Sequence, residues 1–475
     1  MTGRRLHPAA IGLIILLFAL ALRAQTFGNP LLHIDEGFYL LVGDRIGHGA
    51  VPFVDIWDRK PVGLFLIYAA MRGLGSDGIL QYQLVATLFV AMTGFGIARL
   101  ALRVASPFAA LFAGLAYVCW VTLFDGDGGQ TPIFYNALMI AAASLAMRVA
   151  TGRARTGVGE GALAMLLVGC AIQIKYNVVF EGIYFGMGML WARRDKPLLP
   201  LAGAASLWIM LALLPTLGAY AAYIWTGHGP EFAYANFISI FERVPQPLIG
   251  QIKRLCITIG IFLPLFGLVY KAVSQRQRSL EEAFLLGWLA AAMLFYLLFG
   301  TYFAHYALPL LLPILVLAAV GLDQVRRPKA VAFTFLAVGA IASSVVSATN
   351  IRSKGDMATA RRIVAEFDRN NPACPYIFDG NPVLYFLSGT CLPSKYIFPG
   401  HLNSAAEAQA IGVDQRSEIS RIMAHRPQLV MTLEPHYGGE SEQNRAVLDG
   451  ELAAHYRLDK RLPYGRRTAL IYRPR

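Results

Sequence analysis

Eleven apolar stretches, each about long enough to cross a hydrocarbon layer, constrain this chain more than any other feature. They lie at about residues 8–22, 79–99, 105–123, 132–149, 160–175, 177–192, 198–225, 252–271, 282–299, 303–322 and 330–347. Charged residues make up 15% of the chain against 56% hydrophobic, well below the roughly 25% charge of soluble domains. The net charge of +13 does not point to a nucleic-acid surface, because the basic residues fall in short clusters between apolar runs.

Those clusters are one-sided. Threading the runs from a cytoplasmic N-terminus marked by Arg4 and Arg5 puts Arg99 with Arg103, Arg148 with Arg153 and Arg155, and Arg193 with Arg194 and Lys196 on one face. Lys271 with Arg276 and Arg278, and Arg326 with Arg327 and Lys329, fall on the same face. The positive-inside rule makes that face cytoplasmic, and an odd number of spans sends the C-terminus outside. The first run reads as a retained anchor, because Arg23 follows it and no small-x-small cleavage site is present. Cys119, Cys170 and Cys256 lie in apolar spans and read as small core residues.

The expected fold is a polytopic α-helical membrane protein of about eleven transmembrane helices with a small C-terminal periplasmic α/β domain. Residues 1–348 form the membrane domain and 349–475 the soluble one, where charged helical stretches alternate with strand-like pieces at 376–378, 429–432 and 468–472. The first outer loop, about 25–78, includes a half-apolar stretch at 61–74 that reads as a helix lying along the interface. A second outer loop, about 226–251, carries Glu231, Glu242 and Arg243. Cys374 and Cys391 are the cysteines of the C-terminal part, and an oxidising compartment predicts that they form a disulfide.

The first loop concentrates chemistry in His33-Ile34-Asp35-Glu36-Gly37-Phe38-Tyr39 and in Pro52-Phe53-Val54-Asp55-Ile56-Trp57-Asp58-Arg59-Lys60-Pro61. A carboxylate takes a proton from an attacking hydroxyl, and cations stabilise a departing phosphate. The alternative is a solvated loop whose charges pair with one another. Asp35-Glu36 after the first span, followed by Trp57-Asp58-Arg59-Lys60-Pro61, resembles the first periplasmic loop of C-type glycosyltransferases that use polyprenyl-phosphate sugars. That superfamily includes protein O-mannosyltransferases, the aminoarabinose transferase of lipid A, and galacturonic acid transferases of the lipopolysaccharide core. The resemblance continues in Ile174-Lys175-Tyr176, in Tyr302-Phe303-Ala304-His305-Tyr306-Ala307-Leu308-Pro309 and in the layout of the whole chain.

The resemblance implies Asp35 as catalytic base, with Glu36 orienting it or holding a positive group. It implies Lys60 and Lys175, joined by Arg243 or His305, as contacts for the donor phosphate, with Asp55, Asp58, Arg59 and Asp127 as secondary candidates. Both lysines sit outside, against the positive-inside trend; their alternative is snorkelling from helix ends. His305 is equally readable as a structural histidine. Where the lipid A enzyme has an acid before the lysine this chain has Arg59, so a divalent metal is not supported by the motif, and no other cofactor is implied. Gln130 stands where relatives carry an acid; Asp125 or Asp127 either substitutes or begins the loop.

The implied activity is inverting transfer of a sugar from a polyprenyl phosphate to a hydroxyl of a periplasmic-side acceptor, in a bacterial inner membrane. The rival readings are a transporter or lipid flippase, which places charges near the midplane, an O-antigen polymerase or ligase, and a structural subunit without activity. A reporter fused after Arg475 is expected to be active only outside the cytoplasm, and one fused near Arg155 only inside. The opposite result at both sites overturns the membrane map.

Overall fold

The computed structural model describes residues 7–274 and 277–475. Arg4, Arg5 and Arg276 of the sidedness argument lie outside the described residues. Hydrocarbon offers no partner to backbone N–H and C=O groups, so a segment that crosses it must pair them internally. All eleven apolar stretches accordingly contain helix: Pro8–Arg23, Ile79–Ala101, Pro107–Leu123, Thr131–Ala150, Val158–Ile172, Val179–Trp191, Leu198–Trp225, Leu248–Val273, Leu280–Phe299, Leu311–Leu322 and Pro328–Lys354. Side-chain caps set some of their starts. Ser106 Oγ accepts the Ala109 amide at 3.3 Å ahead of Pro107, and Ser279 with Glu282 forms a reciprocal capping box.

Eight helices among the described residues are long and apolar enough to cross a membrane. Pro107–Leu123 and Val158–Ile172 are shorter, and Val179–Trp191 has 13 residues, about 20 Å of helix against a hydrocarbon core of about 30 Å. The protein is a polytopic helical membrane protein with a small sheet-containing C-terminal part.

The chain divides into two compact units. One comprises the residues through Gln25, Leu84–Ala219 and Pro247–Ser347. Small residues set its helix contacts: a Cβ on Gly94 would meet the Gly114 carbonyl oxygen at 2.8 Å, and one on Gly114 would meet Ile15 Cδ1 at 2.7 Å. Such close backbone approach is how helices pack where no hydrophobic drive separates them from lipid. Cys119 is buried here, but Cys170 and Cys256 are exposed. The core reading of those two is therefore corrected: they lie on outward faces, where lipid and a core are equally apolar.

The other unit gathers Thr26–Gln83, Tyr220–Gln246 and Ala348–Arg475. Its sheet consists of β1 (Tyr376–Ile377), β2 (Val430–Glu434), β3 (Tyr456–Tyr464) and β4 (Arg467–Pro474), in the order β1-β2-β4-β3. β1 runs parallel to β2, and β4 is antiparallel to both of its neighbours. Its core joins Tyr376, Phe378, Ile419, Val430, Leu448 and Tyr456 to Trp57 of the first outer loop. The Trp57 amide donates to the Lys395 carbonyl at 2.9 Å. The first loop is thus part of the same packed body as the C-terminal residues.

Cys374 and Cys391 are joined as a disulfide with Cα atoms 5.1 Å apart, closing a 17-residue separation. Removing such a cross-link costs up to about 3 kcal/mol. Alkylation without prior reduction should leave both thiols unmodified, and Cys374→Ser should lower the unfolding temperature of the purified protein. Labelling of both before reduction contradicts the disulfide.

Candidate active site

Two short helices build the first cluster. Ile34–Ile46 follows extended His33, and Val62–Arg72 follows Pro61. They run side by side in the same direction: a Cβ on Gly43 would meet the Ala69 amide nitrogen at 2.7 Å, and Arg72 Nε donates to Asp44 Oδ1 at 3.0 Å near their C-terminal ends. Their N-termini therefore converge, where unsatisfied N–H groups and the helix dipoles favour negative charge. Asp35 and Glu36 occupy the first turn of one, and Lys60 immediately precedes the N-cap of the other. Consecutive helical residues point about 100° apart, so Asp35 is half-buried while Glu36 is fully buried.

Lys60 Nζ lies 3.7 Å from Asp35 Oδ1 and donates to Asp58 Oδ2 at 3.1 Å. The ammonium also stands 5.0 Å from the centre of the Tyr39 ring and 5.9 Å from that of Phe398. Asp58 is buried, and its other oxygen accepts the Arg59 amide at 2.7 Å. The Lys60 side chain keeps about a quarter of its surface exposed, 25%. The structure thus brings Asp35, Asp58 and Lys60 together. It leaves Asp55 out: that exposed carboxylate accepts the Val51 amide at 2.7 Å and closes a turn. In the turn, Phe53 adopts φ 70°, a conformation that bulky residues rarely take. It is held there by packing against Phe65, Tyr223 and Phe232.

The helix carrying Asp35 is fixed by the C-terminal residues as well. A Cβ on Gly37 would meet Val383 Cβ at 2.9 Å, and Asn381 Nδ2 donates to the His33 carbonyl at 3.3 Å.

Arg59 and Arg243 converge on one acid that sequence reasoning missed. Arg59 Nη1 donates to Glu407 Oε1 at 3.0 Å, its Nη2 pairs with Glu407 Oε2, and its Nε donates to Ser239 Oγ at 3.2 Å. Arg243 Nε forms an ion pair with Glu407 Oε1 at 2.9 Å, without hydrogen-bond alignment. Burial pushes the Glu407 carboxyl up, but the two guanidiniums outweigh it and hold the group below its ordinary range. Nothing in residues 403–407 marks Glu407 from sequence, and its partner Arg59 lies 348 positions away.

Lys175 and His305 belong to the other unit, where they gather around Tyr306. Lys175 Nζ stands 3.7 Å over the Tyr306 ring centre, and the His305 ring meets it edge-on at 4.6 Å. Arg254 lies 4.8 Å over Phe303, which stacks on His305 at 6.1 Å. Arg254 was also missed; under the sidedness expected from the sequence, Lys253-Arg254 would break the positive-inside trend as Lys60 and Lys175 would, and that signal marks it. Asp127 is buried in the loop between Pro107–Leu123 and Thr131–Ala150. There Arg23 donates to the carbonyls of Gly126 and Gly128 at 2.6 and 2.8 Å and to Thr87 Oγ1 at 3.0 Å. Among the described residues no group of three or more His, Cys, Asp or Glu side chains is arranged to hold a metal ion.

The crystal structure of ArnT from Cupriavidus metallidurans bound to undecaprenyl phosphate superposes with a TM-score of 0.68, covering 97% of each chain at 16% sequence identity. The chain has an ArnT-like fold. The apo crystal structure of the same ArnT gives a TM-score of 0.69 at 15% identity, again over 97% of both chains. No protein-family model and no curated protein matches the sequence. The ArnT-like fold agrees with the resemblance to C-type glycosyltransferases read from the first-loop motifs, and at this identity it speaks for architecture alone.

His401 supports the floor of the first cluster. Its buried ring lies 4.7 Å from Trp57 and 5.1 Å from Phe398, and its Nδ1 has no hydrogen-bond partner among the described residues. Burial drives its pKa well below the ordinary 6.5; Glu407 opposes the shift, and Arg59, Lys60 and Arg243 add to it. The folded state therefore holds a neutral ring while the unfolded chain takes up a proton. That contribution to stability is complete above about pH 6.5 and is lost as pH falls, by up to about 1.4 kcal/mol per unit. Thermal unfolding of purified protein should weaken from about pH 6.5 to 5, and His401→Gln should flatten the dependence. An unchanged slope in the variant contradicts the buried neutral histidine.

Proposed function

We propose that the chain is an inverting glycosyltransferase that moves a sugar from a polyprenyl phosphate to a hydroxyl of an acceptor on the outer side of a bacterial inner membrane. The observation that carries this reading is the Asp35–Lys60 pair at two converging helix N-termini. It stands in a chain whose fold matches an ArnT crystallised with undecaprenyl phosphate. Eleven crossings, with the C-terminal residues in the periplasm, complete the proposal.

In this scheme the bond between the anomeric carbon and the donor phosphate oxygen breaks, and a bond from the acceptor oxygen to that carbon forms on the opposite face. The acceptor proton passes to Asp35 Oδ1 or Oδ2, and the electron pair of the broken bond stays on the polyprenyl phosphate. Lys60 stabilises that leaving group. A phosphate arriving at Lys60 competes with Asp35 for the ammonium, so donor binding itself frees the carboxylate to act as base. Glu36, buried behind Asp35, orients the helix turn or holds a positive group. Lys175 and His305, with Arg254, form a second set of cations suited to an anionic donor, whereas Arg243 is engaged with Glu407. The charges near Lys60 and Lys175 sit in loops or at helix ends, an arrangement that favours interfacial chemistry over transport through the midplane.

Purified protein supplied with polyprenyl-phosphate sugars tests the roles. Asp35→Asn keeps the shape but removes the proton acceptor, and should lower turnover about 10²- to 10⁴-fold with donor binding preserved. Lys60→Ala should weaken both donor binding and turnover, because a phosphate cation acts in the ground state and more strongly in the transition state. Full transfer by Asp35→Asn removes Asp35 from the mechanism.

A further inference from the structure

Lysine has four rotatable side-chain bonds, so a quarter-exposed ammonium does not hold one orientation unaided. Lys60 is aimed by Asp58, and Asp58 is placed by the backbone it shares with Arg59, whose amide holds one of its oxygens. What fixes Arg59 therefore fixes the nearer of the two carboxylates that aim Lys60, Asp35 and the Tyr39 and Phe398 rings bounding it on other sides. Arg59 is fixed by Glu407, through two oxygens, and by Ser239.

Glu407 is itself held from several sides. It ends the short turn Ala405–Glu407, which Ser404 caps through the Ala406 amide at 3.3 Å. The Val244 amide donates to the Ala406 carbonyl at 3.1 Å, Ser239 Oγ donates to the Ala410 carbonyl at 2.5 Å, and Arg243 pairs with Glu407 Oε1 at 2.9 Å. The Glu407 side chain is only 7% exposed. Without its charge, two largely buried guanidiniums face each other uncompensated, and leaving a buried charge unpaired is strongly unfavourable. Arg59 then has reason to turn away and to carry Asp58 with it.

We propose that Glu407 is a positioning residue for donor phosphate: by clamping Arg59 it aims the Lys60 ammonium, which it does not touch. The proposal rests on the donor reading above for its consequence and on the geometry alone for its mechanism. Two measurements on the full-length protein in nanodiscs separate these. The first is the rate at which an amine-reactive reagent modifies Lys60, read by mass spectrometry. Glu407→Gln should raise it several-fold over wild type, with Glu407→Asp between the two, since the shorter acid keeps the charge but reaches fewer of the guanidinium nitrogens.

The second is the affinity for undecaprenyl phosphate in a double-mutant cycle. Glu407→Gln should weaken it about 10- to 100-fold, the scale of one misdirected charge-assisted hydrogen bond. In a Lys60→Ala background the same change should have no further effect. A merely structural role would instead weaken both backgrounds alike and leave Lys60 labelling tied to overall unfolding, which a melting curve reports. Unchanged Lys60 labelling in a folded Glu407→Gln protein, or additive losses in the cycle, overturns the proposal. Failure of wild type to bind undecaprenyl phosphate at all sinks the donor reading, and the labelling arm still decides the positioning.

Discussion

A bilayer solvates neither charge nor unpaired backbone, and the rest of this structure depends on that constraint. It forces the apolar stretches into helices and pushes irregular backbone and most ionised groups into loops and tails. Three such stretches, Thr26–Gln83, Tyr220–Gln246 and Ala348–Arg475, form one packed unit. Trp57 shows why they cohere: an indole from the first loop fills the core built by β1, β2 and the C-terminal helices. The three residues after it are the ionised ones.

The charge balance of the cluster suits a site that changes partner. One ammonium faces two carboxylates, Asp58 buried and Asp35 half-open. Asp58 also accepts the Arg59 amide, so it is the constant partner. Asp35 stands at the longer distance and is the more exposed of the two. Screening by water keeps the worth of such a part-exposed pair small. Nearby, Glu407 is surrounded by arginines rather than sharing one, the reverse ratio, and it serves to hold.

Much of the fold was legible in the sequence because a membrane span is a property of composition over a window. Each of the eleven apolar runs contains helix, eight of those helices among the described residues being long and apolar enough to cross a membrane, and strands were found where Tyr376 and Ile377, Val430 to Thr432 and Thr468 to Tyr472 alternate or cluster. β3 was not read: Arg457, Asp459, Lys460, Arg461 and Pro463 give it the look of a solvated loop, and only its pairing with β4 makes it a strand. The faces of Cys170 and Cys256 were misjudged because apolar composition does not separate lipid from protein interior. Asp35 and Lys60 were reachable through ordered local motifs. Glu407, Ser239 and His401 were not, since their meaning lies in contacts with Trp57 and Arg59 across hundreds of residues.

The central claim is transfer of a sugar from a polyprenyl phosphate, and envelope chemistry tests it most directly. Mass spectrometry of glycolipids, glycans and polyprenyl-phosphate sugars should be compared between cells with and without the gene. The account predicts that one sugar mass disappears from an envelope acceptor while the matching polyprenyl-phosphate sugar accumulates. Identical acceptor profiles together with an unchanged donor pool would contradict it.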